Sequence, residues 1–363
     1  MITAKLKKGN HLGFILVMLI LIVSLTLLFS ADVSAEETER LELFAEEVVS
    51  GGPPPDGIPP IEDPQYLSIE DADPRIGDST VVFVAEFEKE TYIYPQNIMV
   101  WHEIVNEEIA GEKKIITYCP LTGSALGFKG NISAGQTTMG TSGNLVNSNL
   151  VMYDRETDSY WPQILGRAIE GELKGEVLEE FPVIWTRWEL AKDYYDEARV
   201  LSRETGFARD YDRDPYGSYA VSGDYYDSGG PIFPVMNQDE QFEDKKVVIA
   251  GRLNRTPFSL SKNRLAADSL INFTVNEEEL VAIYDDNLDT ARVFLSSYNN
   301  EEIVLNYDEG EIRDEQTNSV WNERGQAISG ELTGAELDQV NAFDVMWFAW
   351  YAFYPESKDN LIY

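Results

Sequence analysis

Two side chains dominate the chemistry open to this chain. Cys119 is its one cysteine, and His102 is the one histidine beyond the first 35 residues. The thiolate is the nucleophilic form of cysteine, and a neighbouring imidazole can lower the thiol pKa and accept its proton. Cys119 follows a predicted strand and precedes Pro120, which places its thiol at a strand-to-loop junction. His102 lies in Trp101-His102-Glu103, on a segment leading to the same strand end. His102 and Cys119 are therefore the candidate catalytic pair. The plainer alternative is a small buried cysteine beside a histidine that hydrogen-bonds a backbone carbonyl. A third reading adds Met152 as a further soft ligand for copper, although a blue-copper set needs two histidines.

Other chemistries find no support in the residue pattern. No Gly-rich phosphate loop follows a strand, no Gly-x-Ser-x-Gly elbow is present, and nothing singles out a serine for a triad with His102. Asp285-Asp286-Asn287-Leu288-Asp289 lacks the glycine and distal Glu of an EF-hand and reads as a charged turn. One cysteine and two histidines exclude a disulfide framework and a zinc site of several Cys and His. The 64 acidic and 28 basic residues give a net charge of −36, which excludes a nucleic-acid binder that must neutralise phosphates. Such a surface stays soluble where salt screens its self-repulsion, so a halophilic setting is expected. With 43% hydrophobic and 12% aromatic residues the chain can still build a core.

The elements that must position these side chains emerge from an internal repeat. Val81–Phe128 aligns with Val247–Phe294 without a gap, bringing Asn97, Asn106, Tyr118 and Phe128 onto Asn263, Asn272, Tyr284 and Phe294. Gly166-Arg-Ala-Ile-Glu-Gly-Glu-Leu-Lys-Gly175 meets Gly325-Gln-Ala-Ile-Ser-Gly-Glu-Leu-Thr-Gly334 with seven of ten residues identical. Thr157, Ser159 and Trp161 fall on Thr317, Ser319 and Trp321. The reading is an α+β fold, internally duplicated, with two pseudo-equivalent sheet-containing lobes and short helices. Residues kept in both copies belong to the scaffold, and residues present in one copy are free to carry function. Trp101-His102-Glu103 faces Ala267-Asp268-Ser269, so His102 and Cys119 both belong to the first copy alone.

Local patterns assign strands to Val81–Phe87, Ile115–Tyr118, Leu150–Tyr153 and Val247–Leu253. A short helix is expected within Gln96–Ile109, from the spacing of Ile98, Trp101, Ile104 and Val105. Thr186 and Glu189 form a capping-box pattern before a helix holding Trp188, with Asp344–Tyr354 as its counterpart. Residues 1–35 read as a signal peptide or membrane anchor: Lys5, Lys7 and Lys8 precede an apolar run, and Val33-Ser34-Ala35 offers a cleavage site. The rest of the chain is then extracytoplasmic, secreted or anchored to the outer face of the membrane. Residues 36–75 form an acidic, Pro/Gly-rich tether and lead-in, 76–201 lobe one, 202–246 an unpaired insertion and 247–363 lobe two. The insertion alternates Asp, Arg and Tyr and is expected either to wall a cleft or to cross between lobes in solvent. Asn131, Asn254 and Asn272 begin glycosylation sequons.

In combination these motifs resemble the uncharacterised domain-of-unknown-function family 3179 (DUF3179). The resemblance rests on Gly51-Gly52-Pro53-Pro54, Asp56-Gly57-Ile58-Pro59, Trp101-His102-Glu103-Ile104-Val105-Asn106 and Tyr118-Cys119-Pro120-Leu121. It continues through Met152-Tyr153-Asp154-Arg155, Trp161, Gln163, Thr205-Gly206, Arg209, Tyr211 and Pro215-Tyr216. It implies an exported protein and supplies no activity, cofactor or partner. It makes the Pro-rich lead-in a family element, and places Thr122 where similar proteins carry a second cysteine, so a two-thiol redox pair cannot form here. The expected site is a pocket in lobe one for a small molecule of unknown identity; the competing expectation is a non-catalytic cell-envelope or surface protein in which the same residues are structural. His102 and Cys119 would be central, with Trp101, Tyr118, Met152, Tyr153, Asp154, Arg155, Trp161, Gln163, Arg209 and Tyr211 around them. Arg155 and Arg209 are expected to clamp an anionic group.

Overall fold

The computed structural model describes residues 35–87, 90–308 and 310–362. The expected export segment lies outside them, except for Ala35. Residues 35–46 are helical and belong to a first unit ending at Glu46, while Glu47 onward forms a second compact unit. Among the described residues no helix is long and apolar enough to cross a membrane.

Strand accounts for 40% and helix for 15%, so the fold is α+β with sheet dominant. The run Val81-Val-Phe-Val-Ala-Glu86 shows why. Phe83 and Ala85 pack into one cluster with Tyr94 and Tyr118, while Val82 and Val84 pack on the opposite face with Ile93 and Trp188. Both faces are buried, so the strand reads as continuous apolar sequence rather than as alternation. In the N-terminal half one sheet runs Ile184–Arg187, Val81–Glu86, Thr91–Pro95, Ala198–Leu201, Tyr66–Leu67. A second runs Glu180–Phe181, Ser124–Lys129, Glu112–Cys119, Ile104–Ile109, and a third Val49–Ser50, Met139–Val146, Asn149–Asp154, Tyr160–Pro162. In the C-terminal half the orders are Ala342–Met346, Val247–Leu253, Thr256–Ser261, Leu361–Ile362, then Gln339–Val340, Thr290–Leu295, Glu278–Asp285, Leu270–Val275. A last sheet runs Leu305–Asp308, Glu311–Asp314, Val320–Trp321, Ala327–Ser329.

Three local expectations need correction. Only Gln96–Met99 is helical; a reversal at Glu103, with φ of 60°, ends that turn, and Ile104–Ile109 is a strand. The β-branched Ile104-Val105 pair pairs readily in a sheet, which outweighs the helical spacing of its neighbours. The capping box does not form: the helix Trp188–Tyr194 has Arg187 at its N-cap without a side-chain bond, and Thr186 Oγ1 is buried without a partner. Asp344–Met346 is strand, and the counterpart helix begins at Trp347.

From Val49 the lead-in is no passive tether. Val49 and Ser50 pair with Leu145 and Asn144, and the Asp56 amide donates to the Thr141 carbonyl at 2.8 Å. Ile61 bridges into the next sheet through its own amide to Ile104 O and the Asn106 amide to Ile61 O. The proline-rich stretch passes so close to Gly143, at φ of 76°, that a Cβ there would sit 1.9 Å from the Pro53 carbonyl oxygen. Only glycine fits that crossing.

Candidate functional site

His102 sits just past the Gln96–Met99 turn and is fully buried. Its Nδ1 lies 2.7 Å from the Pro59 carbonyl oxygen and its Nε2 2.7 Å from the Tyr211 hydroxyl. A carbonyl only accepts, so Nδ1 carries the proton and Nε2 accepts from Tyr211. The Tyr211 oxygen is in turn 2.5 Å from Thr205 Oγ1. Burial lowers the His102 pKa, outweighing the Pro59 carbonyl that raises it, and Arg209 adds to the lowering. The imidazole therefore stays neutral and ties the lead-in to the 202–246 insertion.

Cys119 has different surroundings. The residue is 1% exposed, and its Sγ lies 4.0 Å from the Ser148 carbonyl. Burial pushes the thiol up to about 11, with the Glu103 carboxyl adding to the rise. A thiolate nucleophile needs the opposite shift. The expected His–Cys pair is thus not assembled: both imidazole nitrogens are committed elsewhere, and the thiol stays protonated at neutral pH. The same commitment leaves His102 no lone pair for copper. Among the described residues no group of three His, Cys, Asp or Glu is placed to hold a metal ion.

Most of the expected lining residues belong to the scaffold. Asp154, fully buried, accepts from the Thr157 and Ser159 amides and from Trp161 Nε1 at 2.7, 3.1 and 3.0 Å. Met152 is sealed, and the Gln163 amide spans Ser124, Asn149 and Thr117 within the core. Arg155 is not free to clamp an anion. Its Nη1 donates to Asp56 at 2.6 Å and its Nη2 to Glu62 at 3.2 Å, while Tyr153 donates to the same Asp56 at 2.7 Å. Those carboxylates come from the lead-in, so the clamp is internal. Arg209 is exposed. Trp101 donates to the Arg213 carbonyl at 3.0 Å, and Tyr118 lies 3.0 Å from the Tyr219 hydroxyl.

The insertion forms a wall without a named helix or strand. Asp214 Oδ2 accepts from Gln96 Nε2 and from the Tyr226 hydroxyl, each at 2.8 Å. Tyr219 and Tyr226 stack with ring centroids 3.8 Å apart, and Tyr219 meets Trp185 edge-on. Between this wall and the first sheet lies a cleft of 330 Å³, lined among others by Arg75, Gln96, Asn97, Arg203, Tyr211 and Asp214. Asn97 Nδ2 donates to the Tyr211 carbonyl at 2.9 Å, whereas Asn97 Oδ1 is buried with no hydrogen-bond partner. Of the lining residues expected from sequence, Tyr211 alone reaches this cleft. Asn97 was assigned to scaffold because Asn263 matches it, and no local signal couples Gln96 to Asp214 across more than a hundred residues.

A family model described as Protein of unknown function (DUF3179) matches residues 55–357. No curated protein and no solved structure matches the chain.

Proposed function

The chain belongs to the DUF3179 family, and on that premise we propose that it is a non-catalytic binding protein working outside the cytoplasm. Its site is the cleft between the first sheet and the insertion, and its ligand is a small polar molecule. One observation carries this reading: a 330 Å³ cleft walled by the insertion and lined by the charged and polar residues Arg75, Gln96, Asn97, Arg203, Asp212 and Asp214. That volume lies at the lower end of ligand pockets. His102 and Cys119 act as braces, since the first is saturated by Pro59 and Tyr211 and the second is a sealed thiol.

The two halves are copies of one module in this reading. Shared sheet orders and the common hub of Asp154 and Asp314 support it. The insertion is then an addition to the duplicated scaffold, which is where a binding function is acquired without disturbing the core. The charged and apolar pattern of residues 1–35 supports export, and the acidic surface supports a salt-rich surrounding.

A thermal-shift screen of small carboxylates, ammonium compounds, zwitterions and polyols tests the role. Ala220 lines the cleft and is exposed, so Ala220→Trp fills the space without touching the core. Compounds that raise the melting temperature of the native chain and lose that effect in the variant are the expected result. Stabilisation that persists in Ala220→Trp, or none from any class, overturns the binding role.

A further inference from the structure

We propose that a second pocket, on the sheet formed by Met139–Val146, Asn149–Asp154 and Tyr160–Pro162, binds a guanidinium cation. The pocket measures 480 Å³ and is lined among others by Pro55, Tyr153, Asp158, Tyr160 and Glu170. Tyr153 is the register partner of Tyr160, and Tyr160 bridges in turn to Glu170. Directly opposed residues of neighbouring strands have Cα atoms about 4.5–5.5 Å apart and point to one face, so these three side chains stand in a row. Met152 and Trp161, the next residues along the paired strands, are sealed on the opposite face. The row is accessible: both tyrosines are partly exposed, and Asp158 and Glu170 are exposed. No lysine or arginine lines the pocket, and neither carboxylate has an ion-pair partner among the described residues.

The other aspartate turn is an internal control. Arg313 precedes Asp314 as Tyr153 precedes Asp154, and Arg313 pairs with Val320, which pairs with Ser329. Asn318, at φ of 58°, stands where Asp158 stands at φ of 56°. The same scaffold thus carries two rings and two carboxylates at one turn and none of them at the other, so folding does not demand them. A guanidinium already uses such surroundings next door. Arg155 Cζ lies 5.0 Å from the Tyr153 ring centroid, and its nitrogens reach Asp56 and Glu62 at 2.6 and 3.2 Å. Its charge is matched by those two carboxylates, which leaves Asp158 and Glu170 without a cation. A guanidinium is planar and weakly hydrated, stacks on aromatic rings and offers a carboxylate two parallel hydrogen bonds. A primary ammonium is strongly hydrated, and an exposed carboxylate returns little of that hydration. A quaternary ammonium can rest on the rings but has no hydrogen to donate to Glu170 or Asp158.

Isothermal titration of the full chain at constant ionic strength, with ethylguanidinium, ethylammonium, tetramethylammonium and N-ethylurea, decides it. N-Ethylurea keeps the plane and N–H donors but has no charge. Ethylguanidinium is expected to bind about tenfold more tightly than each of the other three. Tyr160→Val is expected to weaken it about tenfold and Glu170→Ser about threefold. Val320 and Ser329 occupy the matching places of the other turn, so both replacements suit the strands. N-Ethylurea or either ammonium matching ethylguanidinium overturns the proposal, as does silence from ethylguanidinium. A Tyr160→Val chain that binds it unchanged places the cation elsewhere on an acidic surface and overturns it too. N-Acetyl-L-argininamide separates the two sources of the group: tighter binding than ethylguanidinium assigns the pocket to an arginine side chain of a polypeptide, weaker binding to a free guanidino compound. This pocket shares no lining residue with the cleft beside the insertion, so failure here leaves the role of that cleft standing.

Discussion

The turn after Asn149–Asp154 and the turn after Glu311–Asp314 are nearly superimposable in their bonding, yet the strands facing the opposite half differ in sign of charge. Asp314 accepts from the Ser319 amide and Trp321 Nε1 at 3.0 Å each and from the Thr317 amide at 2.5 Å, as Asp154 does from Ser159, Trp161 and Thr157. Leu173 and Leu332 each donate a backbone amide to the serine of their own turn, at 3.1 and 3.0 Å. By contrast Glu86, near the end of the first central strand, meets Arg324 at 2.8 Å, while Arg252 of the Val247–Leu253 strand pairs with Glu180. A tyrosine accompanies each: Tyr195 donates to Glu86 at 3.0 Å, and Arg252 donates to Tyr354 at 3.0 Å. The difference teaches where constraint lies. A buried turn must satisfy its own amides and tolerates one solution, whereas a surface facing another half needs only complementarity.

Removing the shared hub is the most severe way to probe that equivalence. Asp154→Ala and Asp314→Ala each strand several buried donors, so each is expected to cost about 4 kcal/mol in denaturant unfolding. A hub whose loss cost less than about 1 kcal/mol would break the equivalence of the turns. The facing charges should separate next. Arg252 and Glu180 are 14% and 17% exposed, against 24% and 40% for Glu86 and Arg324. Arg252→Met is accordingly expected to cost about 3 kcal/mol and Glu86→Gln about 1 kcal/mol by the same unfolding measurement. Equal costs would mean that burial does not set the worth of these pairs.

A pH-dependent effect lies at a paired reversal of the backbone. Glu103 and Ser269 have φ of 60° and 63°, and their carbonyls accept from the Tyr118 and Tyr284 amides, both at 2.8 Å. Burial pushes the Glu103 carboxyl up to about 8 from its ordinary 4.5. A carboxyl raised in the folded state favours folding at low pH and loses that contribution as pH climbs from 4.5 through about 8. Glu103→Gln is expected to flatten this slope and to gain about 2 kcal/mol at pH 8, read from unfolding midpoints between pH 5 and 8. A slope unchanged in the variant would place the titration elsewhere. Ser269 carries no charge, so its replacement should leave the slope alone.

Much of the scaffold was legible along the chain. The matched Thr157/Thr317, Ser159/Ser319 and Trp161/Trp321 mark a shared scaffold segment and Val81–Phe87 reads as a strand, whereas Asp154 reads as a pocket residue until its bonds to Thr157, Ser159 and Trp161 are seen. The short helix expected within Gln96–Ile109 is confined to Gln96–Met99, because local apolar spacing carries no information on the strand Glu112–Cys119, which claims Ile104–Ile109 by pairing. His102 was picked out by its rarity, but its role came from Pro59 and Tyr211, distant in sequence on either side.

The amino-acid sequence by itself determined strands such as Val81–Glu86 and Val247–Leu253, the repeated Thr-x-Ser-x-Trp segments and the acidic charge, because each depends on neighbours a few residues away or on composition. Tertiary structure alone decided that Cys119 is a sealed thiol, that Arg155 is consumed by the lead-in, and that Asn97 Oδ1 is buried without a donor. Burial and hydrogen-bond satisfaction are set by which distant segments meet. No local spacing specifies that meeting.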